Sequence, residues 1–525
     1  MKINVLTILV LLINLSVSAK PIKVMLLTGQ TDKWHTWEIT SAYLKGILDY
    51  GNIFETDIVL IPSDSEMMGF APEFSKYQVV VLNQNSSEWP DDTKKAFVEF
   101  VKNGGGVVVA HEASNAFRDW KEYNKITGLG GWGGRDEKAG SYYYWKDGKF
   151  ITDDSPGRTG HHGKRTPFVI TIRDTEHPIT KGLPLKWLHP KDELYGDFRG
   201  PAPAENVHVL ATAFSDKKTN GTGKEEPLLF TINYGKGRVV HTTLGHTRAD
   251  LQESVQDIGF QTIISRGAEW AATGKVTQPL PSDFPTETEI KLRDLKELGQ
   301  DAGPWLSLFN GKDLKGWDVK CIPEDSDIPI WSVSEGTIMC HNAGRTSKDY
   351  VWLQYNKEYA DFELKLKVQA YKEFIGNSGV QVRSRYTSAN PAENKGAKMN
   401  GPQIDIDPKT GWRTGLVYDE TRDVQRWIFP SLPNWNIDES SAPKEYKFEY
   451  GEGNWNELYI ICKGTSIVTY LNGIKVAYYD GKGHLDDENH NNLKVGLNGY
   501  IALQIHKKHN AKVKFKDIYI REIYK

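Results

Sequence analysis

The sequence predicts a doubly wound α/β domain followed by an all-β sandwich, and three observations carry that prediction. Apolar runs of strand length alternate with amphipathic helices from Ile22 to Thr273. Helical periodicity largely disappears after Trp305, and a proline-broken stretch separates the two regimes. At 525 residues the chain also exceeds what one hydrophobic core usually supports.

The first regime opens with Lys2, an apolar run from Val5 to Leu15 and the small residues Ser16-Val17-Ser18-Ala19. A positive tip, a short apolar core and a small-x-small exit mark a secretory signal peptide. Cleavage is expected after Ala19, giving a periplasmic or secreted protein. Ile22–Leu27, Thr56–Ile61 and Tyr77–Asn83 read as strands, and Glu38–Tyr50 as a helix. Pro90-Asp91-Asp92 opens a helix whose apolar stripe is Phe97, Phe100 and Val101. It stops at Asn103-Gly104-Gly105-Gly106, where glycine accepts left-handed backbone. Val107–Ala110 is uniformly apolar, as the middle strand of a parallel sheet must be. Phe168–Ile172, Val207–Ala213, Leu228–Tyr234 and Arg238–Thr243 follow as strands, then a last helix from about Leu251 to Ala272.

Pro279, Pro281 and Pro285 mark residues 275–304 as a linker, with Glu289–Leu298 as a short helix. The expected organisation is therefore a leader over 1–19, an α/β domain over 20–274, the linker, and a β-domain over 305–525. In the latter, Phe362–Val368, Gly379–Ser384, Gln403–Ile406, Glu457–Cys462, Ser466–Leu471, Tyr500–Ile505 and Val513–Ile520 alternate with period two. Leu471-Asn472-Gly473-Ile474 is a hairpin turn, because Asn-Gly suits two positive φ angles. Many short strands with turn signals imply a sandwich.

Composition excludes several classes of function. A formal net charge of −3 with mixed signs provides no basic patch for nucleic acid. No apolar stretch reaches the length of a transmembrane span. Three cysteines, Cys321, Cys340 and Cys462, are too few and too odd for a disulfide framework, although Cys321 and Cys340 admit one bridge. The 16 Trp and 24 Tyr supply flat faces suited to sugar rings. No motif specifies an oligomeric state.

In a doubly wound sheet, ligands bind at the C-terminal ends of the strands. His111-Glu112 follows the strand Val107–Ala110, and Trp34-His35 follows the first strand. Gly130-Gly131-Trp132-Gly133-Gly134-Arg135 is an open glycine loop with one cation. His161-His162, His189, Asp192-Glu193-Leu194-Tyr195 and Leu244-Gly245-His246 fall in similar positions. No thiol lies in this domain, so thiol-based amide chemistry is excluded. His111 and Glu193 are expected to be catalytic, with Trp34, His35, Arg135 and His246 binding substrate. No motif requires a cofactor. A divalent metal is the candidate, held by His111, His161, His162 and Glu193.

Gly104–Glu112 (GGGVVVAHE), His177–Pro184 (HPITKGLP), Asp192–Tyr195 (DELY) and Tyr234–His246 (YGKGRVVHTTLGH) resemble the ThuA-like, or trehalose-utilisation, domain. The resemblance covers nearly all of 21–274. It implies a class I glutamine-amidotransferase-like (flavodoxin-like) fold without the amidotransferase nucleophile, and a role in disaccharide use on 3-keto sugars. It points to His35, His111, Glu193 and His246 as pocket residues.

Trp305–Trp317 (WLSLFNGKDLKGW), Gly376–Arg383 (GNSGVQVR), Gly401–Asp407 (GPQIDID), Trp455–Lys463 and Gly499–His506 (GYIALQIH) resemble the 3-keto-disaccharide hydrolase domain. That family is a concanavalin-like sandwich (jelly roll). Where it usually reads G-x-E-x-Q-x-x-D, Gln403 stands at the customary Glu position, so any acid role passes to Asp405 or lapses. Period two puts Gln403, Asp405 and Asp407 on one sheet face, and likewise pairs Gln381 with Arg383 and Gln504 with His506.

The implied substrate is an oligosaccharide or 3-keto-glycoside whose ketone acidifies the neighbouring C2 hydrogen. Asp405 or His506 is expected as base or acid, with Arg383 at the developing enolate. Gln381, Gln403, Asp407 and Gln504 would bind the sugar. Direct hydrolysis by Asp405 and Asp407, about 6–7 Å apart along a strand, is an alternative. Two further readings are a lectin-like module without catalysis and an activity confined to the N-terminal domain.

Overall fold

The computed structural model describes residues 20–31, 33–201, 206–341, 347–374, 376–389, 396–407, 411–424, 426–427, 429–432, 437–506 and 510–524. The expected leader over 1–19 lies outside the described residues. The chain divides into two compact units, Met1–Gly299 and Gln300–Lys525. Among the described residues no helix is long and apolar enough to cross a membrane.

Five parallel strands form one half of the first unit's main sheet, in the order Phe54–Leu60, Ile22–Thr28, Val79–Asn83, Gly106–Ala110 and Gly237–Thr242. Val79–Asn83, Gly106–Ala110 and Gly237–Thr242 are buried almost without exception, as two covered faces require. Met25, Leu27, Val80, Leu82, Val107 and Val109 pack with Phe97, Val101, Tyr123 and Ile126 of helices Asp91–Lys102 and Lys121–Thr127. Helices Trp37–Asp49 and Ile258–Thr273 pack together against the sheet. This is the doubly wound arrangement. The other half of the sheet is antiparallel, continuing through Glu225–Tyr234, Val207–Phe214, Thr166–Ile172 and Lys186–Asp192.

Three details depart from the expected elements. The last helix is two, Glu253–Gln256 and Ile258–Thr273, because the Asp257 carboxylate turns to cap the second by accepting from Phe260 N. No helix forms over 289–298. Its backbone bonds outward instead, Ile258 N donating to Lys291 O at 3.0 Å and the Gln261 amide to Arg293 O, while Leu295 and Leu298 are buried. The segment to Gly299 therefore packs as part of the first unit. Finally, the strand Lys186–Asp192 and the hairpin Ser141–Lys146/Lys149–Asp153 carry too many polar residues and a proline for periodicity to reveal them.

The second unit is two antiparallel sheets. One runs Trp331–Ser334, Thr337–His341, Lys512–Glu522, Phe362–Ala370, Asn456–Lys463, Ser466–Leu471 and Ile474–Asp480. The other runs Trp317–Lys320, Val351–Tyr359, Gly499–Ile505, Ser378–Thr387, Pro402–Ile406, Val417–Asp419 and Arg426–Trp427. Leu364, Leu366, Val368 and Phe515 of the first meet Val380, Ile404, Ile406 and Leu503 of the second in one core. Asn472 and Gly473 take φ of 50° and 81°, as the hairpin turn demands. Cys321, Cys340 and Cys462 are free thiols.

Of the three glycines ending helix Asp91–Lys102, only Gly104 has positive φ, at 117°. Gly106 serves close packing: a Cβ there would lie 2.6 Å from the Ala271 carbonyl carbon. Gly106→Ala is expected to destabilise the first unit by about 1–3 kcal/mol in urea denaturation. Gly69→Ala, where a Cβ meets nothing within 4 Å, is expected to stay within about 0.5 kcal/mol of wild type.

Candidate functional site

The first unit gathers its polar side chains at the C-terminal ends of its strands. His35 follows Ile22–Thr28, His111 follows Gly106–Ala110, His246 follows Gly237–Thr242, and Glu193 follows Lys186–Asp192. One donor atom from each lies within 4.8 Å of the other three. His111 Nδ1 lies 2.6 Å from the Thr243 carbonyl oxygen, which can only accept, so Nδ1 carries the proton. Its Nε2 is thereby an acceptor and receives the Tyr195 hydroxyl at 2.8 Å. His35 Nδ1 lies 3.0 Å from a Glu112 carboxylate oxygen, and its Nε2 lies 3.4 Å from the Tyr195 oxygen. Glu193 Oε2 stands 3.3 Å from His246 Nδ1 and 3.9 Å from His111 Nε2. Its other oxygen accepts from Arg165 Nε at 3.0 Å.

Charge in this pocket is strongly biased. Burial first, and then the neighbouring His35, push His111 down to about 3, so its imidazole is neutral. Burial would raise Glu193, but His246 beside it and the other surrounding histidines outweigh it and keep the carboxylate ionised. His111 has φ of 47°, a left-handed conformation that costs a non-glycine residue energy and is typical of functional corners.

Beneath the cluster lies a buried Asp192–His189–Asp257 triad. His189 Nε2 is 2.9 Å from Asp192 and Nδ1 is 2.9 Å from Asp257. Burial would lower the His189 pKa; the two carboxylates overcome this and raise it to about 9. Asp192 additionally accepts from the backbone N–H groups of Glu193 (2.7 Å), Gly245 (2.8 Å) and His246 (3.1 Å). A charged pair thus ties down two loops that deliver two of the four clustered side chains.

Other expected residues fall elsewhere. Arg135 does not join the cluster: its buried guanidinium donates to the carbonyls of Asn115, Ala116 and Gly131 and to Asn124 Oδ1, latching the glycine loop. His161 and His162 do not join the cluster. They are neighbours on a two-residue strand, so their side chains diverge; His161 Nε2 bonds Asn220 O, and His162 reaches only the rim, 3.5 Å from Glu193. His35 and His246, expected to touch substrate, take their places. Trp34 is 53% exposed, with the Lys33 ammonium 4.8 Å from its ring.

The sandwich has its own cleft, of about 230 Å3. Asp405, Asp407 and Gln403 line it from strand Pro402–Ile406 and the residue after it, while Ile404 and Ile406 enter the core. Asp405 accepts from Asn377 Nδ2 at 3.0 Å and from Arg413 Nε at 3.1 Å. Burial raises its pKa to about 6, with the Arg413 charge and the Asn377 bond opposing and Asp407 adding. Arg413 Nη1 also reaches Asp407 at 3.4 Å, and its guanidinium lies 4.6 Å from the Trp427 ring centroid. His506 Nε2 is 2.9 Å from the Tyr350 hydroxyl, and both line the cleft. Burial, then the nearby carboxylates, keep Tyr350 protonated.

Arg383 is not in this cleft. The pairing of Ser378–Thr387 with Gly499–Ile505 slips between Gln381 and Ser384, and Arg383 takes φ of 49°. Its fully buried guanidinium donates to the carbonyls of Ala360, Gly464 and Gly496 and to Asp361. Gln381 lies beneath, donating to Gln403, and the buried Gln504 amide likewise does not line the cleft. Arg413, Tyr350, Asn377 and Trp427 were missed by sequence reasoning. Only Asn377 sits in a quoted motif; Arg413 lies in a loop, where no periodicity assigns a face. Glu112, Tyr195 and Arg165 were missed likewise in the first unit, although HE and DELY contain two of them.

Comparison with known proteins matches residues 23–271 to the trehalose utilisation (ThuA) family and residues 304–521 to the 3-keto-alpha-glucoside-1,2-lyase-like domain. A protein from Parabacteroides merdae assigned as ThuA-like is 51% identical, with a TM-score of 0.51. The match covers 53% of this chain and 99% of that one. One from Bacteroides uniformis, also assigned as ThuA-like, is 20% identical over 50% of this chain and 95% of its own, with a TM-score of 0.34. A protein from Parabacteroides distasonis assigned as a glycosyl hydrolase is 20% identical over 42% and 94%, with a TM-score of 0.27. Among curated proteins none matches. The chain belongs to the ThuA-like proteins, here fused to a 3-keto-alpha-glucoside-1,2-lyase-like domain. It is a carbohydrate-active protein.

The raised pKa of His189 has a definite sign. Its stabilisation is fully present below the ordinary histidine value of 6.5 and is lost as pH rises through about 9. Thermal melts of the wild type are expected to lose up to about 3 kcal/mol between pH 6.5 and 9.5. His189→Gln is expected to be less stable at pH 7 and to lack that slope.

Proposed function

We propose that the sandwich cleft cleaves the glycosidic bond of a 3-keto-glycoside by elimination. The observation that carries this reading is Asp405, a buried cleft carboxylate whose pKa of about 6 matches a general base working near neutral pH. In the proposed step the Asp405 carboxylate removes the C2 proton, and the electron pair moves into an enolate whose oxygen faces Arg413. The enolate then expels the C1 oxygen, leaving a C1–C2 double bond conjugated with the ketone. The His506–Tyr350 pair protonates the departing aglycone. Subsequent addition of water would make the overall change a hydrolysis.

Arg413 suits the enolate because Trp427 and the two aspartates hold its planar guanidinium in place. Direct displacement by two carboxylates fits less well. Asp405 and Asp407 share one arginine on one side of the cleft, whereas such mechanisms need carboxylates flanking the scissile bond. A role in 3-keto-disaccharide use also accords with the trehalose-utilisation match.

Aglycone release from 3-keto-glucosides and 3-keto-trehalose tests the proposal. Wild type is expected to turn over with a rising limb near pH 6, and Asp405→Asn to lose about 10²–10⁴-fold in kcat. Because the raised pKa makes ionised Asp405 a stability cost, its contribution falls as pH rises from 3.8 through about 6. Asp405→Asn should therefore melt no lower than wild type at pH 7, separating chemistry from folding. Arg413→Ala should lose at least about 10²-fold with sugar affinity retained. Arg383→Gln should instead destabilise the sandwich by about 3–5 kcal/mol. Undiminished release by Asp405→Asn would sink the mechanism; binding without release by wild type would favour a lectin-like module.

A further inference from the structure

We propose that His35, His111, His246 and Glu193 form a mononuclear site for a divalent transition-metal ion, independent of the chemistry proposed for the sandwich. The donor set is three imidazoles and one carboxylate, which suits zinc, manganese, iron or cobalt and not the oxygen-seeking calcium or magnesium. The spacing is that of a slightly expanded site: the four donor atoms lie within 4.8 Å of one another and would close around an ion by small side-chain shifts. A tetrahedral ion with bonds of about 2.1 Å sets its ligand atoms about 3.4 Å apart. Glu193 Oε2 stands 3.3 Å from His246 Nδ1 and 3.9 Å from His111 Nε2.

Two further observations point to a ligand. His246 is completely buried, yet neither of its ring nitrogens has a hydrogen-bond partner, including the Nδ1 turned toward Glu193, and a buried imidazole left so is costly unless something compensates. The rings of His35, His111 and His246 also crowd together with centroids 4.8 to 5.6 Å apart around a single carboxylate. Nothing in folding alone calls for two buried histidines and a partly buried third in contact.

The surrounding shell is the one that metal-bound histidines have. A Glu112 carboxylate oxygen stands 3.0 Å from His35 Nδ1, and the Thr243 carbonyl takes the Nδ1 proton of His111. The His111 ring is thus locked in the tautomer that turns a bare Nε2 inward, and the carboxylate beside His35 Nδ1 favours the same tautomer there, so an ion would bind without displacing a proton from either ring. An ion on His111 Nε2 would compete with Tyr195, whose hydroxyl donates to that same lone pair. Released, the phenol would face the ion and could donate to an oxygen ligand on it, either water or a sugar carbonyl. A metal-bound carbonyl or water is the substrate chemistry this centre serves.

Zinc and cobalt titration of the purified full chain tests the site. One equivalent per chain is expected by mass spectrometry, with a rise in melting temperature. Cobalt should give the intense visible absorption of a four-coordinate ion. His111→Gln and Glu193→Gln should weaken binding at least about 100-fold, and Glu112→Gln about 10–100-fold through the shell alone. Tyr195→Phe and Asp405→Asn should keep the full equivalent. Glu112→Gln and the cobalt spectrum keep the test sharp if a ligand variant fails to fold. The proposal is overturned if wild type binds neither ion, or if the ligand variants bind as well as wild type.

Discussion

The first unit is organised around one buried carboxylate. Asp192 accepts four hydrogen bonds, one from the His189 imidazolium and three from the backbone of Glu193, Gly245 and His246. A carboxylate taken out of water this completely is stable only if its lone pairs are filled and a cation stands beside it. Both conditions are met by residues that also hold the site. His189 passes the constraint to Asp257, which caps helix Ile258–Thr273. Edge strand, helix start and the Leu244–Thr247 corner are therefore one electrostatic assembly, and the clustered histidines sit on top of it.

The sandwich solves a similar problem with the opposite charge. Arg383 is buried, and carbonyls from three turns plus Asp361 absorb its donors. That clamp and its bulge shape the strand behind the cleft. The arginine in the cleft is Arg413, which is only partly buried and rests on Trp427 between two aspartates. A guanidinium whose donors are exhausted by backbone cannot meet substrate, whereas one shared with two carboxylates at a surface can.

Each unit thus separates support from chemistry. Fully satisfied ion clusters, Asp192–His189–Asp257 and Arg383 with its carbonyls, rigidify the scaffold. His246, whose ring nitrogens have no hydrogen-bond partner, and Asp405, a carboxylate lining the cleft, are displayed where a ligand can reach them. The strained φ of His111 belongs to the same division, since its corner is stabilised from below by the Thr243 carbonyl.

What the sequence determined by itself was whatever follows from local periodicity and turn chemistry. The five parallel strands, the Asn472-Gly473 hairpin and the shared face of Gln403, Asp405 and Asp407 belong to that class, because period two and glycine φ are properties of adjacent residues. The motifs of the first unit also marked its pocket histidines. Tertiary structure alone decided which charged groups are neutralised by backbone and which remain available. Arg383 and Arg135 read as functional cations, yet both spend their donors on carbonyls distant in sequence. Arg413 and Glu112 acquire their places only when a loop and a strand end are brought beside Asp405 and His35. Burial and long-range hydrogen bonding are properties of the folded assembly, and no local pattern encodes them.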